Sequence, residues 1–418
     1  MAAPRYYKQA FEQAGYLTAL FRMIMIALGH RPPITPMLEQ GASPRLYTPF
    51  LPSPLRQMYQ IGLEKDELDT PALLIDLDLM EENISTMADF FRGKEAALRA
   101  HTKVHRTPIL AHKQMEAGAK GVCCQKVGEA EVMVASGIRD VMVTNEIVAP
   151  AKIRRLVSLA KHADISVPVD DASNAKALAR AVKGEGVELS VLVDIHMGSG
   201  RCGVEPGEPA LRLARSIQEL KGLRLRGLMG FEGHVSAMEP REKRRVEIER
   251  LEGLLIETKE LMERDGMEVP EVSTGSTGTY DVSGRIPGVT EVQAGTYILM
   301  DANYHQHVPE FGCALSVLST VISRPSSDRA ITDAGRMSIS TPRGTPLVKG
   351  MDGLEVVGVH AENTILRVEG HADAAIGDKI EIIPPYLDGT VKLHERFHGI
   401  RNGRVEAAWE IIGRDSSN

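Results

Sequence analysis

Residues 189–231 run LSVLVDIHMGSGRCGVEPGEPALRLARSIQELKGLRLRGLMGF. Both ends, LSVLVDIHM (189–197) and LRLRGLMGF (223–231), are short apolar runs of strand length. Between them ALRLARSIQELKG (210–222) places its apolar residues at helical spacing. Strand, helix and strand in close succession form the unit of a parallel sheet. The pattern repeats outward in both directions. Upstream lie LRAHTK, GVCCQKV, DVMVTN and ISVPVD; downstream come PEVST and TEVQAGTYIL. Helix-like segments separate the first seven of these eight strands, among them KRRVEIERLEGLLIETKELMER (243–264). The count predicts an α/β fold, a (β/α)8 barrel of TIM type. The last link, 275–289, is Gly-rich and too short for a full helix and two loops.

ALLIDLD (72–78) precedes the eight as a strand leading into a helix near 79–92. Past residue 311 the texture changes. CALSVLSTVIS, RAITDA, EVVGVH, NTILRVEG, DKIEII and GRVEAAWEII are strands without long helices between them, and Asn402-Gly403 is a hairpin signal. A C-terminal antiparallel β-domain follows. The expected division is 1–67, an N-terminal helix and Pro-rich arm; 68–310, the barrel; and 311–418, the β-domain.

The chain has 418 residues and a net charge of -7, which gives no electrostatic reason to expect nucleic acid or anionic membrane as a partner. Four cysteines, two of them adjacent, make no disulfide framework, and a reducing cytoplasm fits. GYLTALFRMIMIALG (15–29) is interrupted by Arg22 and is shorter than the roughly 20 residues of a spanning helix. It reads as an amphipathic helix, followed by an extended arm over 31–56, and no membrane span is expected.

The chemistry is read from two clusters. RAHTKVHRTP (99–108) ends the first barrel strand, and strand alternation would put His101, Lys103 and His105 on one face. Active sites of such barrels lie at the C-terminal strand ends. A lysine there, beside imidazoles and out of water, is suited to act as an uncharged nucleophile that forms a Schiff base. STGSTGTY (273–280) follows the seventh strand. Its small residues let backbone N–H groups approach a ligand, and its hydroxyls can donate, at the place where such barrels hold phosphate. The two clusters together describe a site for pyridoxal 5′-phosphate.

DTPALLIDLDLMEENI, RAHTKVHRTP, GVCCQKVGEAEVM, VMVTNEIV, MGSGRCGVEPG, STGSTGTYD and EVQAGTYILMD, in this order, resemble the D-threonine aldolase/D-serine dehydratase family. These are fold-type III pyridoxal phosphate enzymes with an alanine-racemase-like barrel. The resemblance covers roughly 68–310 densely and the rest of the C-terminal side more loosely. It implies that Lys103 carries the cofactor, that Ser276, Thr277 and Gly278 hold its phosphate, that Arg201 sits near its phenolic oxygen and that Tyr280 lies at its edge. It also implies a homodimer acting on a small amino-acid substrate.

Three places depart from the family pattern. The metal pair, H-x-D in the aldolases and H-x-C in the dehydratases, falls on Tyr386 and Asp388. A divalent metal (Mn or Mg) would therefore be weakly held or absent, because a neutral phenol is a poor ligand. GFEGHV (230–235) has Phe231 where a tyrosine near the pyridine nitrogen is usual, and Glu232 in place of a histidine, with His234 as an extra imidazole. VHAENT (359–364) has Glu362 in a histidine's place, and His360 is displaced.

The resemblance implies a pyridoxal-phosphate-dependent carbon–carbon lyase, an aldolase cleaving a β-hydroxy-D-α-amino acid to glycine (or a relative) and an aldehyde. Candidate bases are His101, His234, Glu232 and the freed Lys103. The alternatives are a D-serine-type dehydratase, an amino-acid racemase and a non-catalytic pyridoxal phosphate carrier. His305 and His307 read as loop residues, and His394 and His398 as exposed strand residues.

Overall fold

A computed structural model describes residues 60–370 and 372–416. The apolar run 15–29 and the arm 31–56 lie outside the described residues. The first strand, β1 (Ala72–Asp76), runs into α1 (Leu77–Phe91), which Asp76 caps by accepting the Leu79 N–H at 3.2 Å. Eight strands then close a parallel barrel: β2 (Ala97–His101), β3 (Gly121–Cys124), β4 (Asp140–Val143), β5 (Asp164–Val169), β6 (Leu189–Ile195), β7 (Leu223–Gly230), β8 (Glu271–Thr274) and β9 (Glu291–Val292). The seam is β9 on β2, with Ala97 opposite Glu291 and Leu98 opposite Val292.

Helices α2 (Pro108–Glu116), α3 (Val127–Ala135), α4 (Pro150–Leu159), α5 (Ala172–Val182), α6 (Glu208–Gln218) and α7 (Arg241–Arg264) connect the strands through β8. The link from β8 to β9 holds only the single turn α8 (Tyr280–Ser283), as its length required. The eight segments read as barrel strands are the eight that close.

Side chains fill the barrel in layers. At the N-terminal end Arg99 is 0% exposed. Its Nε donates to Glu291 at 2.7 Å and its Nη1 to Asp140 at 2.7 Å. Lys120 reaches Glu291 at 2.9 Å, and Arg226 pairs with Glu271 and with Asp164. Above this ionic floor Cys123, Met142, Leu192 and Met229 form an apolar plug. The polar mouth lies at the opposite end, so a ligand there meets a packed wall and not a pore.

The second body is a sheet of nine strands. It contains β10 (Leu315–Ser326), β11 (Arg329–Thr332), β12 (Leu347–Val348), β13 (Leu354–Val359), β14 (Thr364–Val368), β15 (Lys379–Ile383), β16 (Arg396–Arg401) and β17 (Arg404–Glu410). The ninth strand is β1, which lies between β10 (antiparallel) and β16 (parallel). Among the described residues the chain therefore first enters this sheet, leaves to build the barrel, and returns. Asn402 and Gly403 both have positive φ (50° and 74°), as a two-residue type I′ hairpin requires. Residues 61–418 form one unit.

The expectation of exposed His394 and His398 is corrected. β16 has neighbours on both sides, so His398 is buried and its Nδ1 lies 3.2 Å from Leu73 O, while His394 Nε2 meets Ser338 O at 2.8 Å. A single turn, α9 (Ala302–His305), follows the barrel, and a final helix, α10 (Leu387–Lys392), packs on the turn that follows β2.

Candidate active site

β2 ends at His101, and residues Thr102–Val104 turn as a 3-10 helix. The alternation expected of a strand is lost there, so His101, Lys103 and His105 do not share a face. His105 points into the body. The Thr107 N–H donates to its Nδ1 at 3.1 Å, so Nε2 carries the proton and meets Gln114 Oε1 at 3.1 Å; Gln114 donates in turn to Tyr297 Oη at 2.8 Å. Burial brings His105 down to about 4. His101 stays at the mouth with Nε2 3.2 Å from Thr144 Oγ1. Burial, then the charges of Lys103 and His105, hold it well below the usual imidazole range, so it is neutral. Lys103 is half-buried, its Nζ 6.0 Å from the centre of the Phe231 ring. No carboxylate among the described residues pairs with it, an unusual condition for a lysine in a barrel mouth.

The loop after β8 is tied to the same strand end. Ala294 O, just past β9, accepts the His101 N–H at 3.0 Å, and three residues on the Tyr297 N–H donates to Thr277 Oγ1 at 3.1 Å. Ser276, Thr277 and Gly278 are buried at the base of the mouth. Thr277 Oγ1 uses a lone pair for Tyr297, which leaves its proton to give, and its N–H has no acceptor among the described residues. Gly278 must be glycine, because a Cβ there would stand 2.4 Å from Ser236 O. A tightly packed loop whose Thr277 N–H and O–H are free to donate fits a phosphate. An unpaired amine nearby fits the carbonyl end of the same molecule. A barrel with these two features at its mouth has the chemistry of a site for a phosphorylated carbonyl compound.

Over most of its length the chain is similar to known proteins of one family. Residues 75–303 match the family model "Alanine racemase, N-terminal domain", and residues 314–400 match a serine dehydratase domain model. A D-threonine aldolase of Arthrobacter sp is 36% identical over 355 residues, 84% of this chain and 94% of that relative. A 3-hydroxy-D-aspartate aldolase of Paracoccus denitrificans is 33% identical over 364 residues, again 84% and 94%. The crystal structure of D-threonine aldolase from Filomicrobium marinum superposes with a TM-score of 0.83 at 37% identity, covering 85% of this chain and 98% of that one. The chain belongs to the D-threonine aldolase/D-serine dehydratase family.

The remaining residues singled out in the sequence separate into two sets. Arg201 lies at the mouth, its guanidinium carbon 5.0 Å from the Phe231 ring centre, so Phe231 has Lys103 and Arg201 against it. Tyr280 turns its ring to Phe90 and Phe311, and its hydroxyl donates to Glu310 at 3.0 Å. Glu232 does not face the mouth. It is fully buried beneath the loop, where Thr274, Gly275 and Thr279 donate to it. His234 is exposed on the outer rim, near Gly198 and in the field of Glu247. His360 and Glu362 are exposed in the turn between β13 and β14.

One group escaped the sequence reading. Asp194 on β6 is buried at the mouth. Burial, then the hydrogen bond to Glu146 and that residue's charge, push it up to about 9, against the pull of Arg201. Glu146, Asp170 and Cys202 lie beside it, with potential ligand atoms within 4.8 Å of one another. A lone acid inside the apolar strand LSVLVDIHM was the available signal.

Tyr386 and Asp388 form no such group. Tyr386 precedes α10, and its ring carries the Arg343 guanidinium at 4.9 Å. Burial and the adjacent Asp388 push its phenol up, away from the anionic form a metal would need. Arg106 Nη1 donates to Asp388 O at 3.4 Å, which adds a second cation. Asp301, the other carboxyl here, already accepts from the Tyr304 and Leu387 N–H groups; with it, Asp388, a neutral phenol and two guanidinium groups do not fit a divalent ion, and no step is assigned to one.

Proposed function

We propose that this chain is a carbon–carbon lyase of the D-threonine aldolase type, cleaving a β-hydroxy-D-α-amino acid to glycine or a related amino acid and an aldehyde. The observation that carries the reading is the unpaired Lys103 amine in one mouth with the loop 275–279, in a chain of this family. Lys103 would hold pyridoxal phosphate through its ε-amine, and Ser276, Thr277 and Gly278 would hold the phosphate. When bound, that cofactor supplies the sink for the electron pair released at the substrate's Cα.

The protein's part is to bind, orient and move one proton. Arg201 and the face of Phe231 define one wall of the space beside Lys103. The β-hydroxyl proton passes to the nitrogens at the end of β2. His101 is uncharged there, and the Lys103 amine, whenever it is not holding the cofactor, would be a second acceptor beside it. As the O–H proton leaves, the Cα–Cβ bond breaks and the β-oxygen becomes the aldehyde carbonyl. Glu232 and His234 take no part, because one is sealed under the loop and the other lies on the outer rim.

Incubating the purified chain and pyridoxal phosphate with D-threonine and other D-β-hydroxy amino acids, with aldehyde and keto acid assayed separately, tests the reading. Aldehyde without keto acid is expected, whereas keto acid plus ammonia would make the chain a dehydratase and sink it. We also infer a homodimer working in the cytoplasm; sedimentation velocity at micromolar concentration should show twice the monomer mass.

A further inference from the structure

Under the loop 275–279 lie two carboxyls that no cation among the described residues neutralises. Glu232, just after β7, and Glu252, in the middle of α7, are both fully buried. Thr274 Oγ1 sits between them, 3.1 Å from Glu232 Oε2 and 3.3 Å from Glu252 Oε1. A hydroxyl has one proton and can give it to only one of them. Glu232 has other donors as well: the Gly275 N–H at 3.2 Å on Oε2 and Thr279 Oγ1 at 2.6 Å on Oε1. Glu252 Oε1 accepts from Ser283 Oγ at 2.5 Å, and its Oε2 has no partner.

The surrounding charges do not settle this pair. Arg244, on the same helix as Glu252, donates to Ser236 O at 3.1 Å and His307 O at 2.9 Å. Arg241 is held by Asp281 at 2.6 Å, Arg285 stacks on Phe90, and Tyr280 donates to Glu310. Two carboxylate anions in a dry pocket with only neutral donors would repel each other uncompensated. One proton resolves the conflict. Glu232 has the donors an anion needs, and Glu252 has the spare oxygen an acid can protonate. Burial and the Glu232 charge push Glu252 well above the usual carboxylate range, in agreement.

We propose that Glu232 and Glu252 act as a one-proton carboxyl pair that positions the loop 275–279, with ionised Glu232 gripping the loop and protonated Glu252 letting it remain ionised. The proposal rests on the reading that this loop cradles the cofactor's phosphate. Both are positioning residues, because Thr274, Gly275 and Thr279 lie between them and any ligand. Loss of the proton would set a second negative charge behind the cradle and make both acids compete for Thr274.

The test compares the affinity of the full chain for pyridoxal phosphate with that for pyridoxal, between about pH 6 and about pH 10. The ratio removes whatever the carbonyl and Lys103 contribute at each pH. In the wild type it should fall about tenfold or more on the alkaline side. In Glu252→Gln, which keeps the neutral form at every pH, the ratio should stay flat. An infrared carbonyl band of a protonated carboxylic acid should be present in the wild type, absent from Glu252→Gln and lost at the same alkaline pH. A flat wild-type ratio, an unchanged alkaline fall in Glu252→Gln, or absence of the acid band each overturns the pair. Should Glu252→Gln fail to fold, the wild-type ratio and band still decide. If neither ligand binds, the cofactor reading fails, and the infrared band judges the pair alone.

Discussion

Gly278→Ala is the sharpest probe of the cradle. Gly278 does not have the left-handed φ that favours glycine, so alanine brings no backbone penalty of that kind and the perturbation is purely one of space. Its Cβ would stand 2.4 Å from Ser236 O and 2.6 Å from Ser236 Cβ. The first contact is short by about 0.9 Å of a comfortable carbon–oxygen separation. Neither neighbour is a flexible tip. Ser236 is pinned by Arg244 on its carbonyl at 3.1 Å and by its own hydroxyl on Gly233 O at 2.7 Å, so the loop must do most of the moving. A displacement of this size in a packed interior costs about 1–3 kcal/mol. If the cost falls on the bound geometry, pyridoxal phosphate binds about 10- to 100-fold more weakly. Pyridoxal, which lacks the phosphate, should bind the variant as it binds the wild type. Equilibrium dialysis of both ligands, followed by absorbance, reads the difference. Gly253→Ala is the matched control. It lies inside α7 with nothing within 4 Å of the added carbon, so it should leave binding intact and raise stability by about 0.5–1 kcal/mol. A folded Gly278→Ala protein with wild-type affinity for the phosphorylated ligand would refute the assignment of the loop.

Other expectations follow from the same geometry. Lys103→Ala should abolish both lyase turnover and the visible absorbance of bound cofactor, while His101→Gln should keep the absorbance and lower kcat about 10²- to 10⁴-fold. Turnover should survive EDTA, and Asp388→Asn should not create a metal requirement; inactivation by chelator with recovery on Mn2+ addition would show that the Tyr386 and Asp388 region holds a metal after all. His105 titrates near 4 when folded and near 6.5 when unfolded, so protons favour the unfolded chain. Its contribution is intact above about pH 6.5 and should decline by up to about 3 kcal/mol as the pH falls towards about 4. Urea unfolding should lose that slope in part in His105→Gln. Arg99→Met should destabilise the barrel by about 3–5 kcal/mol, because Glu291, Glu271 and Asp140 keep their charges without it; thermal melts of the two proteins would show the difference.

The parts of the fold legible in the sequence are those governed by local periodicity. All eight barrel strands could be read because a strand buried on both faces is a short apolar run, and each of the first six is followed by a helical repeat. β1 was equally legible as a strand, but nothing in ALLID says that its partners lie 240 or more residues downstream. His398 failed for the same reason, because whether a strand is central or at an edge is decided by its neighbours. RAHTKVHRTP pointed to the right lysine through an argument that the structure does not keep. The residues were read as one extended strand, whereas Thr102 donates to Cys123 O at 2.9 Å and the chain turns before Lys103. Glu232 was visible as an odd acid in GFEGHV. Its depth was not, because GFEGHV has no periodicity and its burial comes from α7 and the loop above it.

The position of β1 also sets the order in which the molecule can be made. On the ribosome β1 emerges first of the described strands, yet its two neighbours are β10 and β16: it has no partner until residue 318 has been synthesised and keeps one open edge until residue 400 follows. β2 to β9 need nothing beyond residue 292 and can close while translation continues. Between residue 292 and the arrival of β10, then, the nascent chain can carry a closed barrel with a loose apolar strand ahead of it, and until β16 follows that strand still offers one open edge. That interval exposes the nascent protein to stray edge pairing and gives a chaperone its place to act.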